Sequence, residues 1–249
     1  MIRAELSDVD LMKNSIPIVA DIIDEGVFHF DHNGISLVTP DRTMVSVVDL
    51  KILSTAFDEY KVDSPEAIGL NLANLAAILK RVGSAEKIIM ESGKGNKFKI
   101  TVENGGKRTF EIPVIEVKAE KPPVEQLSFG SKIELETAVI EEGIADAEVI
   151  GDSVVLEAGA GGLRMYAKGD VSSAELELNK GHSSLLNIRA EKTVKSQYPL
   201  DYLKKMIRAG KLSKQMVLEF GNDYPLRMTF KAIDKLNLSF ILAPRVSED

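Results

Sequence analysis

Leu72-Ala73-Asn74-Leu75-Ala76-Ala77-Ile78-Leu79-Lys80 and Leu200-Asp201-Tyr202-Leu203-Lys204-Lys205-Met206-Ile207-Arg208 repeat one pattern at an offset of 128 residues. In each copy the apolar residues recur at the spacing that lines one face of an α-helix, and a cation closes the run. The offset extends outward without a gap. Ile88-Ile89-Met90-Glu91 falls on Met216-Val217-Leu218-Glu219, Gly93 on Gly221 and Thr101 on Thr229. Upstream, Gly34-Ile35-Ser36-Leu37 falls on Gly162-Leu163-Arg164-Met165, and Val48-Asp49-Leu50 on Leu176-Glu177-Leu178. Self-similarity at a fixed offset implies two similar domains in tandem.

Each half reads as strand, helix, several strands, helix and more strands, an α+β pattern. Val27-Phe28-His29-Phe30 alternates and turns through Asn33-Gly34 into Ile35-Ser36-Leu37-Val38, a strong hairpin signal. Val154-Val155-Leu156-Glu157, Gly159 to Gly162 and Leu163-Arg164-Met165-Tyr166 repeat it. A further helix is expected from Val9 to Ile23, kinked or weakened at Pro17, with its counterpart from Thr137 to Val149. Between the halves, Lys118-Ala119-Glu120-Lys121-Pro122-Pro123 disfavours helix and central strand, so the stretch reads as an extended, exposed connector. The expected division is a first domain at 1-115, a connector at 116-130 and a second domain at 131-249.

Composition sets the outer bounds. The chain has 249 residues, 44% of them hydrophobic, enough to build a core in each half. Its net charge of -7 argues against a surface that coats nucleic acid or anionic membrane all round, so any DNA contact must gather cations on one face. There is no cysteine, hence no disulfide framework, thiol nucleophile or Cys-ligated zinc. Met1 to Asp10 alternates apolar and charged residues unlike a signal peptide, and no stretch approaches the ~20 apolar residues of a spanning helix. The expectation is a soluble intracellular protein of the cytoplasm or nucleoid.

No catalytic or metal constellation emerges. The histidines are His29, His32 and His182, and on a strand His29 and His32 point to opposite faces. Gly159-Ala160-Gly161-Gly162 lacks both the Gly-Lys-Ser/Thr ending and the frame of a phosphate loop, and a hairpin turn accounts for it. Carboxylates are numerous, but nothing in their spacing brings a pair into a cleft. No cofactor is expected.

Ile68-Gly69-Leu70-Asn71-Leu72 with Leu75 and Ile78-Leu79-Lys80, Val45-Ser46-Val47-Val48-Asp49-Leu50, Phe57-Asp58-Glu59-Tyr60 and Leu242-Ala243-Pro244-Arg245-Val246 resemble, in order and spacing, proliferating cell nuclear antigen, the sliding-clamp family of archaea and eukaryotes. The resemblance implies two clamp domains per chain, helices on the inner face of curved antiparallel sheets, and three chains closed head to tail into a six-domain ring around double-stranded DNA. It also implies a non-enzymatic processivity factor. Implied partners are DNA polymerase, the clamp loader replication factor C, flap endonuclease and DNA ligase, all through short peptides. The alternatives are a hetero-trimeric or checkpoint-type clamp, and an α+β enzyme with an unrecognised carboxylate site.

On that resemblance the helices line the hole, and their cations Lys13, Lys80, Arg81, Lys204, Lys205, Arg208 and Lys211 become candidate DNA contacts. A clamp must slide, so diffuse contacts to phosphate suit it. The stretch from Thr137 to Val149 departs from relatives: it carries Glu141, Glu142, Asp146 and Glu148 and no cation. A partner peptide of pattern Gln-x-x-aliphatic-x-x-aromatic-aromatic is implied to enter a pocket built from Met44, Val45, Val47, Leu127, Phe129, Pro225, Leu226, Ile241, Leu242, Ala243 and Pro244. Pro40 replaces a methionine common in relatives. The ring is implied to pair a strand near Lys107 to Val114 with the neighbour's Ser172 to Leu178, with Arg81 and Arg108 facing Glu142 and Asp146.

Overall fold

The computed structural model describes residues 1–93, 95–118 and 122–245. The central part of the expected connector, 119–121, and Val246 of the expected C-terminal signature lie outside the described residues. Two compact units are formed, one from Met1–Pro122 with Lys231–Leu238 and the other from Pro123–Phe230 with Ser239–Asp249.

The first unit contains β1 (Ile2–Leu6), α1 (Asp10–Lys13), α2 (Ile16–Ala20), β2 (Glu25–Asp31), β3 (Gly34–Pro40), β4 (Ser46–Leu53), β5 (Glu59–Val62), β6 (Glu66–Asn71), α3 (Leu72–Leu79), β7 (Lys87–Ser92), β8 (Lys97–Glu103) and β9 (Lys107–Pro113). Its strands run in the orders β5-β1-β7-β8-β9 and β6-β2-β3-β4. Phe30 of β2 meets Phe98 of β8 with ring centroids 5.8 Å apart. The stripe Leu72, Leu75, Ile78 and Leu79 is buried as its spacing requires, and Asn71 caps the helix by accepting from the Asn74 N–H at 3.0 Å.

The expected helix from Val9 to Ile23 is two short helices. Val9, Met12, Ile16, Val19 and Ile23 are all buried, so the apolar stripe continues through an interruption of the helix that periodicity does not register. At the break the Ser15 hydroxyl donates to the Leu11 carbonyl at 2.7 Å. Pro17 then sits in the first turn of α2, where its missing N–H has no intrahelical partner to lose. The first hairpin also differs by one residue from the expected Asn33-Gly34 turn. Asp31 pairs with Gly34, leaving His32 and Asn33 as the loop, and the Asn33 N–H donates to Asp31 Oδ1 at 2.7 Å. His32 therefore lies in a turn and not on the strand that carries His29.

The second half of the chain contains β10 (Ser131–Glu136), α4 (Thr137–Ile150), β11 (Ser153–Gly159), β12 (Gly162–Lys168), β13 (Ser173–Asn179), β14 (Leu185–Ala190), β15 (Val194–Pro199), α5 (Leu200–Met206), β16 (Gln215–Phe220), β17 (Leu226–Ala232) and β18 (Leu236–Leu242). Strand orders are β14-β10-β16-β17-β18 and β15-β11-β12-β13, the arrangement of the first unit repeated strand for strand. Backbone details repeat too: the Leu72 N–H donates to the Asp24 carbonyl and the Leu200 N–H to that of Asp152, both at 2.9 Å. α4 lies over β11, β12 and β13 and buries Ile140, Ile144 and Ala147.

The segment after β9 leaves the first unit along an edge. The Ile115 N–H donates to the Gly69 carbonyl at 2.9 Å, and a Cβ on Gly69 would stand 2.1 Å from the Ile115 oxygen, so only glycine admits this approach. Its far end is not fully extended. Val124–Gln126 forms one 3₁₀ turn with Val124 buried, held where Arg227 donates to the Val124 carbonyl at 2.6 Å.

Candidate functional surfaces

In the first unit, Lys13 ends α1, half-buried and 3.9 Å from Asp10, while Lys80 and Arg81 stand exposed just past α3. In the second, Lys204 and Lys205 occupy the last turn of α5, and Arg208 and Lys211 follow on the 3₁₀ turn Ile207–Leu212. Cations at helix C-termini complement the helix dipole and remain available to an anion. Their charges are not equal in effect. Lys204 is ion-paired with Glu148 of α4, and the Lys205 ammonium lies 5.6 Å from the Tyr202 ring centre. α4 presents Glu141, Glu142, Asp146 and Glu148 to solvent with no cation of its own.

β9 and β13 each end a sheet, and each is seven residues long. Such edges leave a row of backbone N–H and C=O groups open to another strand. β9 begins with Lys107 and Arg108, whereas β13 carries Glu175 and Glu177. Arg108 is already engaged within its own chain. It donates to both Glu86 carboxylate oxygens at 2.6 and 2.7 Å and, more weakly, to the Arg81 carbonyl at 3.3 Å. The Gly83 N–H and then Arg108 hold the Glu86 carboxyl below the usual carboxylate range. Glu86 was not legible as a participant, because nothing in sequence spacing joins it to Arg108. The Arg81 guanidinium has no ion-pair partner among the described residues.

The candidate peptide-pocket residues fall in both units. In the first, Met44 is 72% exposed with φ of 59°, and Val45 and Val47 are half-buried. The loop presenting Met44 is built on the buried Asp41, whose carboxylate accepts from the Val45 and Ser46 N–H groups at 2.9 and 2.7 Å and from Thr43. Asp41 is a further residue of this surface that sequence reading passed over, although an aspartate after Pro40 and two before Thr43 is a turn-forming signal. In the second unit, Leu127, Phe129, Pro225, Ala243 and Pro244 are half-buried, whereas Leu226, Ile241 and Leu242 lie in the core beneath. Phe129 packs edge-on against Tyr224, centroids 5.8 Å apart, and the Arg227 guanidinium lies 4.7 Å from its ring centre. Beyond Pro244, Arg245 anchors the chain through its N–H to the Gln197 carbonyl at 2.7 Å and an ion pair with Asp152.

Two domains of one strand order, cation-bearing helices and paired open edges define a tandem-domain clamp fold. The chain belongs to the proliferating cell nuclear antigen family: the family's N-terminal domain matches residues 1–120 and its C-terminal domain residues 123–245. It is 34% identical to DNA polymerase sliding clamp 1 of Thermococcus kodakarensis over 94% of each chain. It is 32% identical to the DNA polymerase sliding clamp of Nanoarchaeum equitans over 98% of this chain and 99% of that one. Among solved structures, it matches PCNA of Thermococcus kodakaraensis with a TM-score of 0.92 at 24% identity, covering 98% of this chain and 100% of the other. A chain of the PCNA2-PCNA3 complex of Sulfolobus tokodaii matches with a TM-score of 0.89 at 26% identity, covering 98% and 99%.

Proposed function

We propose that this chain is the protomer of a DNA polymerase sliding clamp, a ring of three copies that encircles duplex DNA and tethers polymerase and other replication and repair proteins. Its relatives along nearly the whole length bear the name DNA polymerase sliding clamp. The observation that carries the ring is the pair of open seven-residue edges, β9 and β13, with cations at the head of one and carboxylates along the other. A heterologous interface joins two different surfaces of one subunit, and it closes into a ring when the rotation per step divides the circle.

DNA contact on this reading is to phosphate, from cations at the ends of α1, α3 and α5 and on the 3₁₀ turn after α5. Such contact is sequence-independent and weakens with salt, so topology and not affinity must prevent dissociation. α4, with its carboxylates, stands off the phosphates and faces Arg81 and Arg108 of the adjoining copy. Partners insert a short peptide against Phe129, Pro225 and Pro244, half-buried apolar residues of the second unit. The clamp loader replication factor C, flap endonuclease and DNA ligase are the proposed peptide donors besides polymerase. The work is done inside the cell and needs no catalytic group.

Sedimentation of the purified chain tests the ring, with a trimer mass expected. The likeness to a PCNA2-PCNA3 complex favours one second reading, a ring of unlike subunits. A chain that stays monomeric alone and closes only with a related subunit would select it.

A further inference from the structure

A cavity of about 760 Å³ opens beside the candidate peptide surface, and Leu127 and Phe129 line it. Its other walls hold four cations, Lys132, Arg189, Lys192 and Arg227, against two carboxylates, Glu191 and Glu219. This excess is notable in a chain of net charge -7. The strand register explains how it arises. Lys132 of β10 stands opposite Arg189 of β14 on one side and opposite Glu219 of β16 on the other, and Glu219 stands opposite Arg227 of β17. Glu219 is committed to Arg227 at 3.7 Å. Lys132, Arg189 and Lys192 have no ion-pair partner among the described residues.

Like charges directly opposite on neighbouring strands destabilise a sheet. Lys132 against Arg189 is such a pair, held open at a concave surface with no carboxylate among the described residues paired to it. We propose that this cavity is a second recognition subsite, in which Lys132, Arg189 and Lys192 hold an acidic segment flanking the apolar anchors of a partner peptide. The inference rests on the peptide-surface reading above. Leu127 and Phe129 belong to both surfaces, so one continuous peptide can reach each. A concave patch in which three cations cluster suits side-chain carboxylates, whereas a nucleic-acid backbone calls for cations laid along an extended track. The subsite would rank partners by the charge beside their anchors, affecting association rate and salt dependence most.

The test uses fluorescent peptides of the Gln-x-x-aliphatic-x-x-aromatic-aromatic pattern, flanked by glutamates on either side or by serines, titrated against the full-length protein and the variant Lys132→Ser, Arg189→Ser, Lys192→Ser. At low salt one glutamate-flanked peptide is expected to bind about tenfold tighter than the serine-flanked one, the sum of several exposed charge contacts. In the variant the advantage should fall below about twofold while the serine-flanked peptide keeps its affinity. The variant should melt no lower than the parent, since a repulsion has been removed. Equal affinity of all flanks for the parent, or an advantage that survives in the variant, overturns the proposal. A variant that loses affinity for an oligonucleotide but keeps the glutamate preference overturns it in favour of nucleic acid. Failure of the serine-flanked peptide to bind the parent at all would sink the peptide-surface reading itself.

Discussion

Gly34 and Gly162 stand 128 residues apart and hold the same strained turn, with φ of 136° and 150°, each placed so that a Cβ would lie 2.1 Å from a carbonyl oxygen, that of Ile52 or of Leu178. Both begin the second strand of a hairpin, where β3 or β12 is gripped by the next strand. Only glycine tolerates this backbone region without cost, and the carbonyl contact leaves no room for a methyl group. Gly34→Ala and Gly162→Ala should each destabilise by roughly 2 kcal/mol or more, read as a lower denaturant midpoint at unchanged slope. A loss below ~0.5 kcal/mol at either position would show that the hairpin relaxes freely.

That equivalence was legible because glycine and apolar spacing both recur at one offset. The helical stripes at Leu72 and Leu200 and the tandem plan follow from it, whereas the edge strands were implied only by the resemblance to the family. Other features left no linear trace. The stripe from Val9 to Ile23 stays in phase across the break at Ser15, so hydrophobic period alone reads one helix where there are two. Arg108 with Glu86, Lys204 with Glu148 and the Lys132–Arg189 opposition depend on which elements become neighbours, and that is set by sheet order and register. The buried Leu226 and Leu242 show the complementary difficulty, since an apolar residue near an interface and one in the core beneath look alike in sequence.

Ring assembly should respond to the charges on α4. Reversing Glu142 and Asp146 to lysine is expected to give monomers by sedimentation at low concentration, and adding Arg81→Glu and Arg108→Glu should partly restore the trimer. Because Glu86 competes for Arg108, Glu86→Gln should tighten the ring at low salt. Each exposed pair contributes only ~0-1 kcal/mol, so the effect needs several pairs at every interface. A charge-reversed protein that sediments as a trimer from the start would remove α4 from the interface.

Replacing Lys204, Lys205 and Arg208 with alanine should reduce polymerase stimulation on long templates and flatten its salt dependence, with the trimer intact. Glu148 offers a test in the opposite direction. It neutralises Lys204 in the free protein, so Glu148→Gln should strengthen DNA contact at moderate salt. Stimulation unchanged in both variants would place the DNA elsewhere.

Phe129→Ala should weaken binding of the serine-flanked peptide roughly thirtyfold, the effect of losing ~2 kcal/mol from a buried aromatic anchor. It also removes a ring packed on Tyr224 and Arg227. Circular dichroism should therefore confirm a folded variant before titration. Unchanged affinity in that folded protein would take Phe129 out of the peptide surface.

The central claim is that topology holds this protein on DNA, and retention on a closed circle tests it most directly. Labelled protein is placed on nicked circular DNA by a clamp loader, passed through a sizing column at high salt, and followed again after the circle is cut once. A ring sliding on weak phosphate contacts stays with the circle at high salt and runs off within minutes of linearisation. Protein that leaves the intact circle as fast as the linear form, or that remains on linear DNA with free ends, would contradict an encircling clamp.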